Sequence, residues 1–180
     1  MMRVVGGIYK RRLITYPDDA EHIRPTKDRI REAIFSAVGD IDGYKGLDLY
    51  SGSGAMGIEG LSRGCSSMVF VDNNKLAIET TKKNINSLGI KNAEIFFKND
   101  FDALEIFKKD NRVFDIVFLD PPYKAGKYEE LVSYFLNNNL ISNNGIIVME
   151  SDRDIELDES LFREVRHYKY GPIKIVIMWR

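Results

Sequence analysis

Gly46-Leu47-Asp48-Leu49-Tyr50-Ser51-Gly52-Ser53-Gly54-Ala55-Met56-Gly57 is an apolar stretch that runs into a glycine-rich turn. Residues 46–50 read as a short strand, and a helix is expected from 54 to 64. Between the two, Gly52, Gly54 and Gly57 satisfy G-x-G-x-x-G. A turn of this kind lets backbone approach a bound ligand closely and aims helix N–H groups at it. The spacing alone suits a nicotinamide or flavin dinucleotide as well. Asp48 argues otherwise: near the mouth of the turn it would repel a pyrophosphate and attract a sulfonium or an ammonium.

Outward from this turn the chain alternates regularly. Further strands are expected near 67–71, 93–97, 114–119 and 145–150, and further helices near 74–88, 101–110 and 126–137. Such alternation predicts an α/β fold with right-handed crossovers and a mostly parallel sheet carrying helices on both faces. The end of the chain differs. Phe162–Tyr168 and Ile173–Trp179 flank Tyr170-Gly171-Pro172 and read as a C-terminal antiparallel hairpin, which makes the sheet seven-stranded. Asn137-Asn138-Asn139 and Asn143-Asn144-Gly145 read as a helix end and a turn.

Length and composition fit one domain. The 180 residues are 44% hydrophobic and 29% charged, ordinary for a globular chain with a real core. Cys65 is the only cysteine, and His22 and His167 are the only histidines. An internal disulfide is excluded, and a zinc cluster or a histidine-based triad is not expected. There is no signal-peptide pattern and no transmembrane run, so a cytoplasmic, monomeric protein with no membrane partner and no metal is expected.

The acid followed by the glycine-rich turn resembles the cofactor loop of class I methyltransferases, whose S-adenosyl-L-methionine carries both a sulfonium and an ammonium. One position departs, since Tyr50 stands where many such loops have glycine. Two more acids follow strands. Asp72, with Asn73, closes the strand at 67–71, where an acid can take both ribose hydroxyls of a nucleoside. Asp100 follows the strand at 93–97, where it can accept from an adenine amine while Phe101 covers the ring. Each acid alone could instead be a helix cap or a solvated loop charge. In an open parallel sheet, however, the strand C-termini form the edge at which ligands bind.

Asp120-Pro121-Pro122-Tyr123 follows the apolar run 114–119. Two prolines cannot extend a central strand, because neither has an N–H for the ladder. The strand must stop and deliver an acid, stiff carbonyls and an aromatic ring to one place. The carboxylate and a proline carbonyl can accept from an exocyclic amine, and the ring can stack on its base. The stretch resembles the D/N-P-P-Y motif of amino-directed methyltransferases; a simple turn is the alternative.

The N-terminal segment bears on the substrate. Residues 1–31 hold eight basic and four acidic residues, a net of +4 within a chain of net −1. Localised positive charge binds phosphates even on a slightly acidic molecule, although a solvated basic tail reads the same way. Thr26 is expected to cap a helix whose Ile30, Ala33, Ile34, Ala37 and Val38 form one apolar face. Arg24 and Arg29 flank its N-terminus, suited to a phosphate, to the cofactor carboxylate or to structural ion pairs.

Met2-Arg3-Val4-Val5-Gly6-Gly7, Lys10-Arg11-Arg12-Leu13, the stretch from Arg24 to Phe35, the run 47–59 and Asp120-Pro121-Pro122-Tyr123 occur in this order. Together they resemble the bacterial 16S ribosomal RNA guanine-N2 methyltransferase family over almost the whole chain. The resemblance implies a Rossmann-like class I methyltransferase fold over residues 1–180, with 1–45 as a basic extension and helix that contributes to RNA binding. It implies S-adenosylmethionine binding by Asp48, Ser51, Gly52, Ser53, Gly54, Asp72, Asn73, Asp100 and Phe101. It places the target guanine at Asp120, Pro121, Pro122 and Tyr123. Arg3, Lys10, Arg11, Arg12, Arg24, Thr26 and Arg29 would grip 16S ribosomal RNA within an assembled small-subunit particle. The residues alone leave three rivals open: an adenine-N6 DNA methyltransferase, a glutamine-directed protein methyltransferase and a non-catalytic RNA-binding module.

Overall fold

The computed structural model describes residues 1–17, 27–122 and 127–180. Two short strands, β1 (Met2–Arg3) and β2 (Leu13–Ile14), pair antiparallel as a ribbon ahead of helix α1 (Asp28–Val38). The body then alternates: β3 (Lys45–Leu49), α2 (Ala55–Ser62), β4 (Ser67–Asp72), α3 (Lys75–Leu88), β5 (Ala93–Phe97), α4 (Asp100–Lys109), β6 (Phe114–Leu119), α5 (Tyr128–Asn137) and β7 (Ile141–Ser151). Strands β8 (Glu164–Tyr170) and β9 (Ile173–Trp179) close the chain as a hairpin. The sheet order is β5-β4-β3-β6-β7-β9-β8, with β3 to β7 mutually parallel and β9 antiparallel to both of its neighbours. This is the expected seven-stranded sheet of the class I methyltransferase fold. After β3 the chain moves outward to β4 and β5, then returns to lay β6 on the other side of β3. The crevice outside the C-terminal ends of β3 and β6 is therefore the topological switch point.

The two faces separate by strand alternation. One core layer takes Met68, Phe70, Ile116, Phe118, Ile146, Val148, Ile175 and Ile177 against α1, α2 and the end of α3. The other takes Leu47, Leu49, Val69, Val71, Val117, Leu119, Ile147 and Met149 against α4 and α5. Because side chains alternate with period two, Asp48 falls on the α1–α2 face. Among the described residues, no helix is long and apolar enough to cross a membrane.

Some expected boundaries need correction. Asn143, Asn144 and Gly145 lie within β7, not in a turn before it. Phe114 pairs with Ile141 but Ile116 pairs with Ile146, so the strand bulges between them. Phe114, at that irregularity, packs in the same layer as Val117 and Leu119. Helix α1 starts one residue later than a Thr26 cap requires: Lys27 occupies the N-cap position with no side-chain cap bond. Thr26 itself lies outside the described residues. The apolar face of α1 is buried through Ile30, Ile34 and Val38, but Arg31 and Phe35 are buried too. One terminal nitrogen of Arg31 donates to the Arg3 carbonyl at 2.6 Å and to Asp28 Oδ1 at 2.9 Å, which ties the ribbon to α1.

The ribbon docks through glycines. Val5 and Gly6 N–H groups donate to the two oxygens of buried Glu59, at 2.8 and 2.7 Å, and Arg63 Nε completes the set at 2.8 Å. Gly7 has φ +72°, and a Cβ there would stand 1.7 Å from the Ser62 carbonyl oxygen. Only glycine permits this approach. At the other end of the ribbon, buried Asn84 accepts from Thr15 N–H at 2.7 Å and donates to the Ser53 carbonyl at 2.9 Å. The basic segment is thereby fixed against the glycine-rich turn.

Candidate active site

The turn after β3 is built around two acids. Asp48 is 4% exposed and accepts from Gly57 N–H at 2.8 Å. Burial pushes its carboxyl up to about 7, against the pull of the Gly57 N–H, and the Asp72 charge adds to the rise. Asp72 accepts from Gly52 N–H and Asn74 N–H, both at 2.8 Å. Burial raises its carboxyl also, opposed by those two N–H groups and that of Asn73. A cation between these acids would relieve the cost of ionising both.

Tyr50 explains its own departure from glycine. Its φ is +76°, a left-handed conformation that costs a bulky side chain roughly 1–3 kcal/mol. The phenol compensates by donating to Asp100 Oδ2 at 2.7 Å, across the sheet edge. Burial, then Asp100, raise its pKa, so it remains a donor. Ser51 Oγ is buried and has no hydrogen-bond partner, although burying a hydroxyl unsatisfied costs about 1–3 kcal/mol. An orphaned hydroxyl beside a cation-seeking acid suits the carboxylate and ammonium of an amino acid together. The residues present therefore fit S-adenosylmethionine. Ser53, by contrast, presents Oγ to Met2 Sδ at 3.8 Å and its carbonyl to Asn84, so its polar groups face the ribbon.

The β5 end supplies the remaining cofactor candidates. Asp100 opens α4 and also accepts from Phe101 N–H at 2.8 Å, with Lys127 Nζ at 3.6 Å. That ammonium lies 5.4 Å from the Phe101 ring centroid, and the ring packs edge-on to Tyr134. Asn73 is exposed and donates to Asn99 Oδ1 at 3.1 Å, linking the loops after β4 and β5. Asp48, Asp72 and Asp100 all stand along the one sheet edge.

Asp120 follows β6 on the same edge, with Pro121 buried and Pro122 exposed. Burial, then the charges of Glu150 and Asp48, raise the Asp120 carboxyl well above the usual range. Tyr123 lies outside the described residues. Sequence reasoning missed Glu150, which is 7% exposed near the end of β7. The available signal was an acid directly after the apolar run Ile146-Ile147-Val148-Met149. It also missed Asn84 and Glu59, buried helix polar groups that hold the ribbon.

Of the RNA candidates, Lys10, Arg11 and Arg12 gather at the exposed turn of the ribbon, where Arg11 has φ +70°. Arg12 also donates to the Ser87 carbonyl at 3.2 Å. Arg3 is 66% exposed but pairs with Asp28 at 3.0 Å, and Arg29 is exposed on the first turn of α1. Arg24 and Thr26 lie outside the described residues. Beside the ribbon, a cleft of about 330 Å³ opens between Tyr16, Pro17, Leu76 and Lys83.

The family model described as Conserved hypothetical protein 95 matches residues 2–179. YlbH of Bacillus subtilis, provisionally named an rRNA methyltransferase, is 39% identical over 162 residues, covering 89% of this chain and 88% of its own. Two proteins named ribosomal RNA small subunit methyltransferase D are also similar. The Buchnera aphidicola one is 33% identical, over 86% of this chain and 78% of its own. The Escherichia coli K12 one is 30% identical, over 84% and 75%. In structure, the chain superposes on the Escherichia coli protein yhhF with a TM-score of 0.86 and 26% identity, over 99% of this chain and 97% of that one. A precorrin-6y C5,15-methyltransferase from Geobacter metallireducens matches at a TM-score of 0.66 with 18% identity, over 93% and 98%, a likeness of fold.

Proposed function

The chain belongs to the family described as Conserved hypothetical protein 95, and from that membership and the geometry of the sheet edge we propose that it methylates the exocyclic N2 amine of a guanine in 16S ribosomal RNA of the small subunit. The observation that carries the reading is the placement of Asp120 and its proline pair at the switch point, on the same edge as Asp48 and Asp72. Relatives named as small-subunit rRNA methyltransferases support the substrate class. Bound S-adenosylmethionine supplies an electrophilic methyl group on a cationic sulfur. Asp48 and Ser51 would hold the amino-acid end, Asp72 would take the ribose hydroxyls, and Asp100 with Phe101 would take the adenine.

The chemistry asks for position more than for a strong base. A guanine amine is a poor nucleophile because its lone pair is delocalised into the ring. Hydrogen bonds from its N–H groups to Asp120 and the Pro121 carbonyl favour a tetrahedral nitrogen, and alignment supplies much of the remaining acceleration. The amine, cationic once it carries the methyl group, must shed one proton. Asp120 is suited to take it, since burial and the neighbouring acids make its carboxylate more basic than usual. The base must leave its stack to reach this edge, so a loop or distorted RNA is the expected target. Lys10, Arg11 and Arg12 hold flanking phosphates.

Incubating the protein with methyl-labelled cofactor and RNA, DNA or protein tests the reading. Mass spectrometry of the labelled nucleosides should return N2-methylguanosine from small-subunit RNA. N6-methyladenosine or labelled protein in its place would overturn the assignment.

A further inference from the structure

Glu150 stands beside Asp120 for a reason set by strand register. The last residues paired between β6 and β7 are Leu119 and Met149. One step further brings Asp120 level with Glu150. Phe118 and Val148, one step before, share the α1–α2 face, and alternation returns both acids to that face. Adjacent strands lie about 4.8 Å apart, so the two carboxyl groups are neighbours. Glu150 is held firmly there, because its backbone pairs with Ile175 and the β7–β9 ladder continues through Ser151 and Lys174. Among the described residues, its charge is the largest acting on Asp120.

Two neighbouring acids suit one edge of one base. Guanine presents two adjacent donors on its Watson–Crick edge, N1–H and the N2 amine. Adenine presents a donor and a bare lone pair there. We propose that Glu150 accepts the N1–H of the target base while Asp120 accepts from the N2 amine, so that Glu150 selects guanine over bases whose N1 is an acceptor. This rests on the methyl-transfer reading above. Enzymes that extrude a base read it through hydrogen bonds to that edge. An N1 lone pair facing a carboxylate loses a bond and adds repulsion, which is the stronger kind of discrimination. If one proton is shared between the acids, the protonated member still keeps an acceptor oxygen for the base.

The test uses small-subunit RNA carrying 2-aminopurine at the mapped target. This base keeps the N2 amine and replaces the N1–H by a lone pair. The wild type should prefer guanine by roughly ten- to a hundredfold in kcat/KM, the range of a bond to a charged group. In Glu150→Gln the side-chain amide can turn its NH2 toward the lone pair, so the preference should collapse. The ratio of the two substrates cancels any general loss of activity. A wild type that treats both bases alike overturns the proposal, however the variant folds. So does an active Glu150→Gln that keeps the full preference. A wild type that forms no N2-methylguanosine on any RNA overturns the methyl-transfer reading itself.

Discussion

Replacing Asp48 by asparagine should stabilise the cofactor-free protein while weakening its hold on the cofactor. The carboxyl rises from 3.8 to about 7 in the folded state, chiefly because its 4%-exposed side chain is out of water. At roughly 1.4 kcal/mol per pH unit, the ionised form costs the fold up to about 4 kcal/mol at pH 8. Asparagine keeps an oxygen for the Gly57 N–H and removes the charge, so a gain of about 2–4 kcal/mol is expected. For a domain of this size that is a rise in Tm of roughly 5–10 °C. The sign can be followed with pH. A carboxyl whose folded value exceeds its unfolded one takes up a proton on folding between the two, so the wild type grows more stable as pH falls from 7 toward 4. The advantage of asparagine is therefore complete above pH 7 and fades toward pH 4. Thermal unfolding of both proteins at pH 8 and pH 5 measures this, with calorimetric titration of S-adenosylmethionine alongside. A variant that melts level with or below the wild type at pH 8 would refute the burial argument. A variant that is stabilised but binds the cofactor as before would remove Asp48 from the site.

Asp72→Ala should weaken cofactor binding by roughly 1–3 kcal/mol, read by calorimetry, because ribose hydroxyls lose charge-assisted bonds. Asp120→Ala should abolish most turnover at nearly unchanged cofactor affinity. Asp120→Asn, which keeps an acceptor oxygen, should retain far more, and equal loss in both would sink the acceptor role. Gly7→Ala places a Cβ 1.7 Å from the Ser62 carbonyl at a left-handed φ, so it should undock the ribbon. Hydrogen exchange at Val5 and Gly6 should accelerate while the central strands stay protected. Replacing Arg11 and Arg12 together should flatten the salt dependence of RNA binding by up to about two phosphate contacts without altering cofactor affinity.

The sheet was readable because its strands are apolar runs of ordinary length, separated by amphipathic helices. The hairpin was readable because Gly171 and Pro172 mark a turn just before the apolar run Ile173–Trp179. The candidate site was readable where an acid directly follows an apolar run, as at Asp72 and Asp120, and at Asp48 through the glycine-rich turn after it. The rest depended on long-range contacts that local pattern does not encode. β1 and β2 are two residues each and depend on α1, α2 and α3 to receive them. Arg31 sits on a buried helix face, since its guanidinium finds Asp28 and the Arg3 carbonyl. Tyr50 was visible as an anomaly, but its meaning required the Asp100 contact. Glu150 ended an apolar run like the other acids, yet only the register of β6 against β7 put it beside Asp120.

The ribbon's anchoring has a consequence during synthesis. Gly6, Tyr9 and Thr15 leave the ribosome well before Glu59, Ser62 and Asn84, which lie 53 to 69 positions downstream. At roughly 5–20 residues per second the wait lasts several seconds. Over that interval Lys10, Arg11 and Arg12 have no docking surface. They find their place only once α2 and α3 are made and the glycine-rich turn between β3 and α2 has closed. The part of the chain best charged to meet nucleic acid thus emerges before the surfaces that give it a direction.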